Sequence, residues 1–218
     1  MTAMRGSGTP TALPEPGYVV RFTAAERALH WVHATAFVAL LGTGLALYVP
    51  ALAARVGDRP LVKNMHLVVA VAWLAGLALV ALLGDRGALR RSLREIDRFD
   101  ADDLRWLTGR PAPQGRFNAG QKAHAVVQAA FAVLFTISGV LLWLGERDTR
   151  LRFAGTIPLH DSLMFAAAAL VAGHLWLALA WPRTRPALRG ITLGTVRADW
   201  ARAHHAKWTS APRRGRRP

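Results

Sequence analysis

Apolar residues gather in four long runs, separated by polar connections rich in arginine. The runs cover approximately residues 30–52, 61–84, 123–144 and 157–181, each close to the roughly 20 residues that a helix needs to cross a bilayer. No run alternates with the period of two that a half-buried strand would show. The pattern predicts an all-α fold, a membrane-spanning four-helix bundle over residues 23–181. Thr23 and Glu26 have the form of a capping box, so the first helix should begin ahead of its apolar run. In the connection 85–121, Leu89, Leu93 and Ile96 fall at helical spacing among arginines. An amphipathic helix on the membrane surface and a solvated basic loop are both open there. Residues 1–22 are predicted to be disordered and do not read as a cleaved signal peptide, and residues 182–218 read as a basic tail.

Charge orients the bundle. The chain carries 28 Lys+Arg against 13 Asp+Glu. Three of the basic residues precede residue 30, nine lie in 85–122 and ten follow residue 181, against three in the first connection and three in the third. Basic loops stay in the cytoplasm, so both termini are expected there, in a bacterial inner membrane. Orientation and attraction to anionic membrane lipid account for the basic balance, and nucleic acid is not expected as a partner. The absence of cysteine excludes disulfides, thiolate-held iron–sulfur clusters and the covalent attachment of a c-type haem. Any metal centre must use histidine or carboxylate.

Six of the eight histidines lie within or at the ends of the apolar runs, where ionisable side chains are costly and mark function. His160 and His174 are fourteen residues apart on the fourth run. At about 100° and 1.5 Å per residue that step returns to within about 40° of the same face, roughly 21 Å away. With alternating helix directions, His30 and His174 fall at one depth, near the end carrying both termini, and His66 and His160 at another, near the opposite end. Two stacked pairs of imidazoles suit two six-coordinate haems, one nitrogen approaching each iron from either side. Proton-relay histidines in a haem-free protein are the rival reading of the same residues. Gly42, Gly44, Gly76, Gly139 and Gly173 could admit a porphyrin or a neighbouring helix. His33 is three residues from His30 and could exchange with it as a ligand, although polar or protonic roles suit both His33 and His124 better. His204 and His205 are expected to be solvated or to face a partner.

Three stretches, "RFTAAERALHW", "GRFNAGQK" and "DWARAHHAKW", stand in this order around the four spans. Together they resemble the gamma subunit of membrane-bound formate dehydrogenases, over nearly all of the chain after about Tyr18. The resemblance implies a dihaem cytochrome b that anchors the complex and passes electrons from an iron–sulfur beta subunit to menaquinone or ubiquinone. A catalytic alpha subunit with molybdenum or tungsten would oxidise formate. Carried over residue by residue, it implies His30 and His174 at the cytoplasmic-side haem, His66 and His160 at the periplasmic-side haem, and Asn118, Gly120 and Gln121 at a quinone site near His174. The chain departs from the family in "HLVVA" after His66 and in Asp161 beside His160. Related cytochrome b subunits serve hydrogenases and other quinone-linked oxidoreductases.

Overall fold

The structure is a computed structural model and describes residues 17–210. The disorder expected of residues 1–16 and the end of the basic tail, 211–218, lie outside the described residues. Among the described residues, four helices are long and apolar enough to cross a membrane. They are α1 (Ala24–Tyr48), α3 (Arg59–Leu83), α6 (Ala119–Gly145) and α7 (Thr156–Leu175). Short helices join them: α2 (Pro50–Val56), α4 (Arg86–Asp97) and α5 (Ala101–Leu107).

Local chemistry sets the ends of these helices. The Thr23–Glu26 capping box forms as expected, with Thr23 N donating to Glu26 Oε2 at 2.7 Å and Glu26 N to Thr23 Oγ1 at 3.3 Å. A second box starts α6, Asn118 Oδ1 accepting from Gln121 N at 2.8 Å and Gln121 Oε1 from Asn118 N at 3.1 Å. Asp58 caps α3, with Pro60 in the first turn, where its missing N–H costs nothing. The first apolar run does not continue as one helix to residue 52. Pro50 disfavours the helical conformation at Val49, which is extended at φ −86° and ψ 114°, and α2 restarts there. The fourth run also departs from expectation. Beyond Leu175 it widens into a π turn over Trp176–Ala180 that closes with Trp181 N on Trp176 O at 3.1 Å. The Thr184 hydroxyl bonds back to the Leu177 carbonyl, and Pro182 has no N–H to continue the ladder.

The helices pair into two hairpins, α1 with α3 and α6 with α7. Gly76 lets α1 and α3 approach, since a Cβ there would stand 2.9 Å from Val32. The two hairpins come close at few points, chiefly where α7 faces α1. Leu83, Val71, Val68 and Val38 turn outward, the arrangement a lipid-facing surface needs.

The largest departure from the sequence reading is at the end of the bundle that carries residues 17–22 and 188–210, here termed the basal end. Residues 17–22, expected to be disordered, supply β1 (Tyr18–Val20), which pairs antiparallel with β2 (Thr195–Arg197), Val19 opposite Val196. The expected tail is folded as α8 (Leu188–Leu193), β2, α9 (Ala198–His204) and α10 (Ala206–Ser210). Gly194 makes this closure possible. Its φ is +85°, its carbonyl accepts from Arg21 N at 2.8 Å, and a Cβ would lie 2.9 Å from the Phe22 carbonyl oxygen. The open choice for Leu89, Leu93 and Ile96 resolves as helix α4, with Ala88, Leu89 and Ser92 buried and Leu93 turned out.

His205, expected to be solvated or to face a partner, is only 2% exposed, and its Nδ1 lies 2.6 Å from the Gly115 carbonyl. Burial, aided by the Arg21 guanidinium and by His204, pushes its pKa down to about 4 against the opposing pull of that carbonyl. The ring is neutral when docked and titrates near 6.5 once released. Docking is therefore fully stable above that value and weakens as pH falls from about 6.5 towards about 4. Amide exchange in residues 195–210, corrected for its intrinsic pH dependence, should accelerate over that interval, and His205→Gln should flatten the response. Equal protection at both ends of the interval in the native chain would contradict this assignment.

Candidate cofactor site

Histidines from α1, α3 and α7 face one another across the two hairpins. The ring centres of His30 and His174 are 6.4 Å apart, and those of His66 and His160 are also 6.4 Å apart. The pairs expected from depth are thus brought together, one at the basal end and one at the far end, with α7 contributing to both. His66 Nδ1 lies 2.8 Å from the Thr43 hydroxyl on α1, and His160 Nδ1 lies 2.8 Å from the Ser138 hydroxyl on α6. In the basal pair His30 Nδ1 is buried without a partner among the described residues.

The other membrane histidines are placed differently. His124 stacks on His174, ring centres 4.9 Å apart and planes 9° from parallel. Lone pairs of imidazole lie in the ring plane, so stacked rings cannot direct them at a common metal. His33 turns to α3, its ring 5.6 Å from Trp73. Among the described residues, no group of three or more His, Cys, Asp or Glu is arranged to hold a metal ion by itself. Any iron here would need four further ligands from another source.

Residues 21–194 match the family described as prokaryotic cytochrome b561. The chain belongs to that family. It is therefore a membrane cytochrome b, and haem b is the implied prosthetic group. The cytochrome b556(fdo) subunit of formate dehydrogenase from Escherichia coli K12 is 28% identical over 200 residues, covering 87% of this chain and 91% of the relative. The nitrate-inducible cytochrome b556(Fdn) subunit of the same organism is 24% identical over 211 residues, covering 87% and 89%. The formate dehydrogenase cytochrome b556 subunit of Haemophilus influenzae is 23% identical over 208 residues, covering 87% and 82%.

The histidine pairs of this cytochrome b561 member fit haem. A porphyrin supplies four equatorial nitrogens and leaves two axial positions for the protein. Two metal–imidazole bonds of about 2 Å, with about 1.1 Å from each nitrogen to its ring centre, put ring centres about 6.3 Å apart. Both pairs have that spacing, and the stacked His124 and His174 do not. Gly44 and Gly139 flank the far pair, and a Cβ on either would lie 3.7 Å from Cε1 of His66 or His160 respectively. Gly42 and Gly173 have no neighbour within 4 Å of a Cβ position.

Asn118, Gly120 and Gln121 occupy the first turn of α6, at the basal end. Asn118 Oδ1 and Gln121 Oε1 are used in the capping box, and Gln121 Oε1 also accepts from Arg21 at 3.1 Å. A Cβ on Gly120 would press on Trp106 at 3.1 Å, so part of what this motif does is packing. His124, one turn further along, carries the same helix to the ring of His174.

Thr43 and Ser138 were not singled out from the sequence. Their signal is a hydroxyl followed by glycine inside an apolar span, Thr43-Gly44 and Ser138-Gly139. Also unforeseen is a buried ion network at the basal end. Arg116 donates to Glu26 at 2.7 Å, to Glu95 at 2.8 Å and to Ser92 at 2.6 Å, while Ser92 also donates to Glu26. Arg21 donates to the Arg116 carbonyl at 2.8 Å, and its own pKa is held down to about 10 by burial and by Arg116.

Proposed function

We propose that this chain is the dihaem cytochrome b subunit of a formate dehydrogenase, anchoring the complex in the bacterial inner membrane and carrying electrons from an iron–sulfur subunit to membrane quinone. The observation that carries the reading is the equal 6.4 Å spacing of His30 with His174 and of His66 with His160. One such pair would be a single site, whereas two at different depths offer a route across the membrane. Haem, when bound, supplies reversible one-electron transfer. His30 and His174 would hold one group at the basal end, His66 and His160 the other at the far end. Relatives named as formate dehydrogenase subunits, aligned over most of both chains, favour formate over hydrogen as the ultimate donor. Without cysteine, the chain needs partners for the iron–sulfur clusters and for the molybdenum or tungsten centre.

The basal end is assigned to the cytoplasm, because the long basic connection and the C-terminal segment lie there. Quinone would be reduced beside the first turn of α6. Asn118 Nδ2 and Gln121 Nε2 have no partner among the described residues and can donate to a quinone carbonyl, and His124 and His174 stack close to that turn. Proton uptake at this end with formate oxidised at the other would build a proton-motive force.

The test is haem quantitation and a reduced-minus-oxidised spectrum on the complex purified through this chain. Two b haems per chain, both reduced by formate, are expected. A colourless, well-folded chain obtained with ample haem supply would refute the dihaem reading. Reduction by hydrogen and not by formate would reassign the donor.

A further inference from the structure

We propose that Thr43 and Ser138 fix the tautomer of the far histidine pair and hold that pair at a lower reduction potential than the basal pair. The inference rests on the dihaem reading above. A hydroxyl has one proton to give. Thr43 donates its own to the Ala39 carbonyl one turn back at 2.8 Å, and Ser138 donates to the Leu134 carbonyl at 2.7 Å. Each oxygen can then only accept from the imidazole, so His66 and His160 both carry their proton on Nδ1. Their Nε2 lone pairs are left for a metal.

The construction occurs twice. In each case the hydroxyl comes from a helix other than the histidine's own, α1 for His66 and α6 for His160. In each case the next residue is glycine, which lets the edge of the imidazole approach the neighbouring backbone, with Cε1 3.7 Å from the position of a glycine Cβ. The basal pair lacks this support. His30 Nδ1 is buried and orphaned, and His174 is exposed, with no hydroxyl or carbonyl among the described residues bonded to its ring.

An Nδ1–H that donates a hydrogen bond makes the opposite nitrogen a better electron donor, which favours the ferric over the ferrous state of a ligated iron. Thr43 and Ser138 therefore bias the pair exchange, in which the one electron given up at the far level is the one gained at the basal level. The bias runs towards the end where quinone reduction is proposed. Removing either acceptor should move the far-level equilibrium by up to about tenfold, equivalent to about 59 mV for one electron.

Redox titration of the full chain in native membranes, followed in the haem α-band, tests this. The native chain should show two midpoints, the lower belonging to the component lost in His66→Ala. Thr43→Val and Ser138→Ala should each raise the lower midpoint and leave the upper one in place, while Thr43→Ser and Ser138→Thr should stay near native. Unmoved midpoints with both haems retained would overturn the proposal, as would a lower midpoint belonging to the His174 component. If Thr43→Val or Ser138→Ala loses haem, its hydroxyl-keeping counterpart should retain it. Equal loss in both would show that the hydroxyl is not the agent. Haem quantitation on the parent comes first, and fewer than two haems there refutes the dihaem reading itself.

Discussion

His174→Ala and His66→Ala are each expected to cost the chain one of two b haems, and a different one in each case, while His124→Ala keeps both. The geometry separates the three. His174 and His66 stand at the 6.4 Å spacing that two axial bonds require, each opposite a histidine from another helix. His124 is as close to His174 as any ring in the site, but it stacks flat at 4.9 Å, an orientation that withholds its lone pairs. The two levels should be lost independently, because fourteen residues of α7 separate His160 from His174 by about 21 Å. Haem stoichiometry with low-temperature spectra reads the result. Loss of both haems from a single substitution, or a loss in His124→Ala that matches His174→Ala, would contradict the paired arrangement.

Arg116→Leu should be the most damaging change outside the spans, by about 3–5 kcal/mol. The side chains of Arg116 and Glu26 are 12% and 7% exposed and their ion pair is 2.7 Å long. Deleting the cation leaves a buried carboxylate with, among the described residues, the Thr23 and Ser92 groups to solvate it. The partner left behind is what makes the loss large. Replacing the pair together, Glu26→Gln with Arg116→Met, should recover much of the stability. The second ion pair of Arg116 offers a control, since Glu95 is 45% exposed and Glu95→Ala should cost no more than about 1 kcal/mol. Thermal unfolding in detergent should show a fall on the order of 10 °C for Arg116→Leu and almost none for Glu95→Ala. Equal shifts in the two variants would show that burial of the pair contributes little. Glu26 lies one turn before His30 on α1, so weakened haem binding at the basal level is expected to accompany the large effect.

Features that depend on near neighbours were legible in the sequence. Thr23 and Glu26 form the box that their three-residue spacing suggests, and Asn118 with Gln121, at the same spacing, form a second that was not expected as a pair. The shared depths of the histidines followed from helical rise and alternating direction alone. The interruption at Val49 is equally local, yet it is missed when the first apolar run is carried past Pro50 to residue 52. What the sequence concealed was long-range. Nothing near His205 distinguishes it from His204, and its burial is decided by a carbonyl at Gly115. Tyr18–Val20 is too short to show alternation, and its partner lies near the other end of the chain. The hydroxyls of Thr43 and Ser138 looked like the ordinary polar residues a span tolerates, until the imidazoles across from them were located. The quoted motifs owe much of their character to this same long-range packing. Arg21 and Glu26, Arg116 and Gln121, and Trp200 and His205, drawn from all three, meet at the basal end.

The pairing of β1 with β2 also imposes an order of events on synthesis. Between the synthesis of Val20 and that of Thr195 opposite it, all four described spans are made. At about 5–20 residues per second, that interval is on the order of ten seconds or more. The helices must enter the bilayer while the first strand waits unpaired. A chain halted before residue 195 could have the four described spans in place and still lack the ribbon that closes its base.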